Sequence, residues 1–171
     1  MFNEYPMLLG EIREIEFCDD IGEDVARACI SKRLVMRLKL NKKIFANEEL
    51  LNQLLENSLP NISKKDGLQG YMKHEFTHFL EYRYAIKKNT KNGIVNKKKA
   101  FEEINQSVYA TEILKDALSA CNLQYNNAII KTISSYATYD NSEAIAEAVS
   151  YCDNDSKLCE TIKKLVKRKW G

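Results

Sequence analysis

Gly70-Tyr71-Met72-Lys73-His74-Glu75-Phe76-Thr77-His78-Phe79-Leu80-Glu81-Tyr82-Arg83-Tyr84 carries the pattern H-E-x-x-H at residues 74–78. Residues four apart on an α-helix stand one turn apart on the same face. Two imidazoles so placed can close on one Zn²⁺ per chain, while Glu75 between them reaches an activated water as general base. The flanks read as helix: Asp66 with Gln69 three residues on makes a capping-box-like start, and no proline follows before Asn89. Leu68, Met72, Phe76, Phe79 and Leu80 form an apolar stripe, which predicts a packed helix with the histidines at one edge of that stripe. Both histidines of the chain lie in this motif. Histidines kept for packing or surface polarity would also be found elsewhere, so a metal site is preferred over a chance match.

The 171 residues suit one domain, long enough for a real core but not for two sizeable ones. A hydrophobic content of 44% with 29% charged residues describes an ordinary globular protein. The net charge of +2 and the absence of aromatic–basic interleaving give a nucleic-acid role no support. Positive charge is local, in Lys87, Lys88, Lys91, Lys97, Lys98 and Lys99 and again in 163–169. The first residues, Met1-Phe2-Asn3-Glu4-Tyr5-Pro6, lack the basic start and apolar core of a signal peptide, and no apolar run approaches a membrane span. Five cysteines, an odd number without a C-x-x-C pair, argue against a disulfide framework and a thiolate zinc site and for a reducing compartment. Cys152 and Cys159, seven apart, read as inert neighbours on helical faces. The expected location is cytoplasmic, with signal-less export or virion association left open.

In chain order, 11–17 reads as a short strand or a turn of helix, and 19–23 as a loop. Leu34, Met36, Leu38 and Leu40 alternate with Arg37 and Lys39, the pattern of a half-buried strand. Ala26 to Ile30 is expected to pair with it as a hairpin around Ser31-Lys32. Asn47 suits an N-cap, with Glu48 and Glu49 in the first turn and Leu50, Leu51, Leu54 and Leu55 as the apolar face. Residues 60–66 form a loop into the metal helix, which runs to about Lys88. Polar residues 89–96 read as a flexible loop, solvated rather than a dock for an acidic partner. Phe101, Ile104, Val108, Ile113, Leu114, Ala117, Leu118 and Cys121 predict one long amphipathic helix. Short helices over 125–133 and 142–152 follow, and a last one from Asp155, capped by Asp155 or Ser156, closes the chain. Strand first and helices after is an α+β signature. The expected plan is a small N-terminal mixed sheet with an edge strand beside the metal helix, then a mostly helical C-terminal half. In residue terms that is sheet plus one helix over 1–60, metal helix over 61–89, inserted loop and helix over 90–132, and glutamate helix with C-terminal helix over 133–171. An extended peptide could add to the edge strand through main-chain hydrogen bonds.

A catalytic zinc takes three protein ligands and leaves a position open. With no third histidine and no cysteine in useful context, the third ligand has to be a carboxylate. Glu143 and Glu147, four apart in Asn141-Ser142-Glu143-Ala144-Ile145-Ala146-Glu147-Ala148, are the best source. One can ligate and the other can hydrogen-bond a ligating histidine. Ala144, Ala146 and Ala148 let this helix lie close to the metal helix.

Together, His74-Glu75-Phe76-Thr77-His78, Ser135-Tyr136-Ala137, Asn141-Ser142-Glu143 and Ala146-Glu147-Ala148 resemble the gluzincin-type zinc metallopeptidases. The likeness is to the group of the anthrax lethal factor catalytic domain and the secreted Pro-Pro endopeptidases, and to zincin-like domains of phage and mobile-element proteins. That resemblance implies a zincin-like fold and a Tyr seven residues before the ligand glutamate. Tyr136 stands seven before Glu143, so the resemblance makes Glu143 the ligand beside His74 and His78, and Glu147 the supporting acid. Glu75 would be the base and Tyr136 a hydrogen-bond donor to the developing oxyanion, a role worth about 3 kcal/mol, with Tyr139 as its rival. The implied function is an endopeptidase acting on a protein or peptide substrate, of phage, mobile-element or effector origin. The alternative is a zincin-fold module that no longer cleaves and serves as a structural or interaction domain. No membrane partner is expected, and the oligomeric state is not legible.

Overall fold

A computed structural model describes residues 5–22, 24–57, 67–151 and 156–171. Three strands form one sheet: β1 (Ile12–Cys18), β2 (Ala26–Ile30) and β3 (Met36–Asn41), in the order β1-β3-β2. β1 runs parallel to β3, and β2 antiparallel to it. The mixed sheet expected from the sequence is therefore present, with β2 at an edge. The hairpin partner of β2 starts later than the alternation suggests. Leu34 has φ +62 and closes a turn on Ser31, so the strand begins at Met36. The side chains that face the core, Met36, Leu38 and Leu40 with Ala26 and Ala28 opposite, are all buried.

Asn41 ends β3 and ties three pieces together. Its Nδ2 donates to the Gly22 and Asp24 carbonyls, and its Oδ1 caps α1 (Lys42–Phe45), a turn the sequence did not announce. α2 (Glu48–Asn57) follows, with Leu50 N–H donating to Asn47 Oδ1 at 3.0 Å, the cap expected. The loop over 60–66, the Leu55 side chain and the Asp66 cap lie outside the described residues.

α3 (Gly67–Lys88) carries the H-E-x-x-H pattern and ends where expected. Every residue from His74 to Glu81 on it is buried, because the sheet, α4, α5 and α7 surround it. Residues 89–96 are not an irregular loop: β4 (Thr90–Lys91) and β5 (Ile94–Val95) form a hairpin. Asn92 and Gly93 both take positive φ at its turn, the backbone that an Asn-Gly pair favours. Three of the six lysines in this stretch have local partners. Lys98 and Lys99 face Glu102 and Glu103 on their own helix, and Lys88 lies over the Tyr84 ring.

The one long helix expected from Lys98 to Cys121 is two, α4 (Lys97–Asn105) and α5 (Val108–Ala120). Ser107, in the left-handed region at φ +49, breaks the run without disturbing the apolar spacing on either side. α6 (Asn127–Lys131), a 3-10 turn over Tyr136–Thr138, α7 (Asn141–Ser150) and α8 (Lys157–Lys169) complete the chain. Ser156 caps α8, whereas Cys152 and Asp155 lie outside the described residues. Cys159 is disulfide-bonded rather than inert, while Cys18, Cys29 and Cys121 are free. Cysteine usage therefore no longer argues for a reducing compartment. Among the described residues no helix is long and apolar enough to cross a membrane.

One buried cluster runs from Tyr5 and the sheet through α3, α5 and α7 to Trp170. Trp170, the sole tryptophan, is 1% exposed and stands beside Tyr84 of α3. Replacing it removes the largest side chain that joins the C-terminus to the metal helix. Trp170→Ala should lower unfolding free energy by about 3–5 kcal/mol in urea titration. A loss under about 1 kcal/mol would show that the C-terminus contributes little to this core.

Candidate metal centre

α3 and α7 pack face to face, with Ser142, Glu143 and Glu147 of α7 against His74, His78 and Glu81 of α3. Ala144, Ala146 and Ala148 are fully buried, and Asp140 caps the helix by accepting from Glu143 N–H at 3.0 Å. That closeness brings Glu143 and Glu147 to the two histidines. His74 Nε2 and His78 Nε2 are 3.2 Å apart. Glu143 places Oε2 3.0 Å from His74 Nε2 and Oε1 3.6 Å from His78 Nε2. Ligand atoms at about 2.0–2.1 Å from a tetrahedral zinc stand roughly 3.3 Å from one another. The three side chains are thus spaced as one face of such a site.

The donor chemistry agrees. Glu143 Oε2 is buried without an aligned hydrogen-bond donor, although His74 is beside it. Two ring nitrogens and a carboxylate oxygen aimed at one point form the kind of nitrogen–oxygen set that zinc takes. Among the described residues this is the group of His, Cys, Asp and Glu side chains that could hold a metal ion. Glu147 stands where a supporting acid would: its Oε1 is 3.1 Å from His74 Nδ1, off the N–H direction, hence a close ionic contact rather than an aligned hydrogen bond.

Electrostatics bind the group into a unit. Burial pushes the His74 pKa down, but Glu143 and Glu147 outweigh it and raise it to about 10. His78 is raised too, burial being overcome by Glu143. Burial pushes Glu143 up, yet the two histidines hold it well below the usual carboxylate range. Protons and a cation therefore compete for the same ring nitrogens.

Glu75 points the other way, toward the sheet edge. Its Oε2 accepts a hydrogen bond from Ala28 N–H of β2. Its carboxyl is pushed up by burial, an effect the two histidines and Ala28 N–H only partly offset. A cleft of about 940 Å³ opens between β2 and α7, lined by His74, Glu75, His78, Glu143, Glu147 and a set of tyrosines. Tyr136 is one of them, half-exposed, its ring 6.4 Å from that of His74. Its phenol is raised by burial and by Glu143 and so keeps its proton at neutral pH. Tyr139 stacks on Tyr136 at 6.0 Å but is 80% exposed, farther from the buried centre.

All six residues singled out by sequence, His74, Glu75, His78, Tyr136, Glu143 and Glu147, line this one cleft. Four others were missed. Tyr151 stacks on His74 at 5.8 Å, Tyr82 stacks on His78 at 6.4 Å, Ser142 Oγ is 3.0 Å from His78 Nδ1, and Ala28 engages Glu75. For Tyr82 a signal existed, four residues after His78. Comparison with protein-family models, curated proteins and solved structures finds no match for this chain.

Elemental analysis should return close to one zinc per chain for the zinc-treated wild type. Glu143→Ala should lose it, whereas Glu147→Ala should bind about 10–100-fold more weakly. Wild-type zinc content in Glu143→Ala would remove Glu143 from the ligand set.

Proposed function

We infer that this chain is a zinc-dependent peptidase of the gluzincin type, with a zincin-like fold, acting on a protein or peptide substrate. The observation that carries the reading is the convergence of His74, His78 and Glu143 on one point, with Glu75 buried alongside at the edge of the sheet. Zinc held there would acidify a water and polarise a carbonyl. Glu75, its carboxyl pushed up by burial and lining the same cleft, is suited to take the proton of that water and pass it to the leaving amine. Tyr136, protonated and on the cleft wall, is suited to donate to the oxygen on which charge develops. Glu147 holds His74 from behind. β2 lines the same cleft and has no strand on its outer side among the described residues, so an extended peptide can pair with the part of that edge not taken by the Ala28–Glu75 contact. A phage, mobile-element or effector origin is the setting this reading carries with it.

One observation favours the alternative, a zincin-fold module without activity: Glu75 already has a backbone partner in Ala28, as a purely structural glutamate would. Glu75→Gln separates the two. It should retain zinc and lower cleavage of a casein or peptide-library substrate by about 10²–10⁴-fold. Cleavage unaffected by the change would exclude Glu75 as base, and no cleavage by any zinc-loaded form would favour the interaction module. Tyr136→Phe should reduce turnover by roughly 10²–10³-fold with zinc content unchanged. Full turnover would move the role to Tyr139 or to no phenol.

A further inference from the structure

Glu81 is a charged side chain buried to 1% exposure in the middle of α3, on no ligand list drawn from the sequence. Its two carboxylate oxygens have separate partners. Oε1 accepts from Ala110 N–H of α5 at 3.1 Å, and Oε2 accepts from the Ser142 hydroxyl of α7 at 2.6 Å. Ser142 Oγ is in turn 3.0 Å from His78 Nδ1. Three helices thus meet on one carboxylate, and the chain of contacts ends on a residue of the candidate metal centre.

We propose that Glu81 and Ser142 are positioning residues that fix the tautomer of His78, presenting its Nε2 lone pair to the metal. The direction of the relay follows from counting protons. A backbone N–H can only donate, so Ala110 makes Oε1 an acceptor. Burial pushes the Glu81 carboxyl up, against Ser142, His78 and the Ala110 N–H, which favour its ionised form. With Glu81 ionised, the single proton of the Ser142 hydroxyl is committed to Oε2 across 2.6 Å. Ser142 Oγ therefore turns a lone pair toward His78, and Nδ1 must carry the proton. Nε2 is left with its lone pair, and Nε2 is the atom that faces His74 Nε2 and Glu143. A ligating histidine generally has its second ring nitrogen held in this way.

The same carboxylate serves α5. Ser107 at the start of that helix makes no side-chain cap, and Glu81 accepts from the third N–H of the helix in its place. The helix end in turn favours the ionised carboxylate. The segment over 97–120, inserted between the metal helix and the glutamate helix, is by this contact part of the metal centre's support. The inference rests on the zinc reading for its purpose but not for its test.

The test is long-range ¹H–¹⁵N spectroscopy of histidine-labelled protein, read alongside zinc affinity by chelator competition. With two histidines in the chain the spectrum holds two rings. Zinc-loaded wild type should show His78 protonated at Nδ1 and ligated through Nε2. Ser142→Ala should weaken zinc by about tenfold or more, and Ser142→Thr, which keeps the hydroxyl, should restore it. Ser142→Ala also strips the buried Glu81 Oε2 of its donor and should melt lower than Ser142→Thr. Affinity is therefore compared well below both melting temperatures, where a merely structural serine would leave it unchanged. Glu81→Gln is the sharper variant. Its amide can accept from Ala110 and donate to Ser142, which reverses the relay and shifts His78 toward the Nε2–H tautomer. Unchanged affinity in Ser142→Ala, or an Nδ1–H tautomer undisturbed in metal-free Glu81→Gln with the ring neutral, would overturn the proposal. Should wild type take up no zinc, the peptidase reading fails, and the tautomer of His78 in chelated protein, at a pH that leaves both rings neutral, still decides the relay.

Discussion

Burying two histidines and several carboxylates against one helix is tolerable only if each ionisable group has a partner, since an unpaired buried charge costs several kcal/mol. That requirement organises this molecule. His74 and His78 share a helical face four residues apart, with their Nε2 atoms 3.2 Å from one another. Glu143 answers both, Glu147 and Tyr151 flank His74, and Ser142 and Tyr82 flank His78. Remove the carboxylates and the two buried rings keep only neutral neighbours, with no charge to answer theirs.

The rest of the fold keeps α7 and β2 where that pairing needs them. α7 buries its alanines in the core and turns Glu143 and Glu147 toward α3, and Asp140 sets where it starts. β2 is placed from the other side, by its ladder with β3 and by Asn41, which grips the loop leading into it. Glu75 then joins helix to strand through Ala28, so the carboxylate suited to be the base also sets the distance between sheet edge and centre. Glu81 does the equivalent for α5.

Much of this could be read from residue order, because it rests on local periodicity. The four-residue spacing of His74 and His78, the alternation over 36–40 and the alanines around Glu143 each predict an element and a face. What escaped was of two kinds. Local breaks hid inside regular spacing: Ser107 divides a run whose apolar positions continue across it, and Asn92-Gly93 makes a hairpin in a stretch too short and polar to look like strands. Contacts through space left no trace in order at all. Ala28 and Glu75 are 47 residues apart, Ser142 and Glu81 61 apart, and only packing introduces them. Glu81 gave no signal either, since one buried carboxylate leaves no periodic mark.

The coordination of bound zinc tests the central claim most directly. X-ray absorption at the zinc edge, on protein loaded with one equivalent, should find two imidazole nitrogens at about 2.0–2.1 Å and oxygen ligands at about 2.0–2.2 Å, with no sulfur. A sulfur shell near 2.3 Å, or oxygen ligands with no imidazole signal, would place the metal elsewhere and contradict the account.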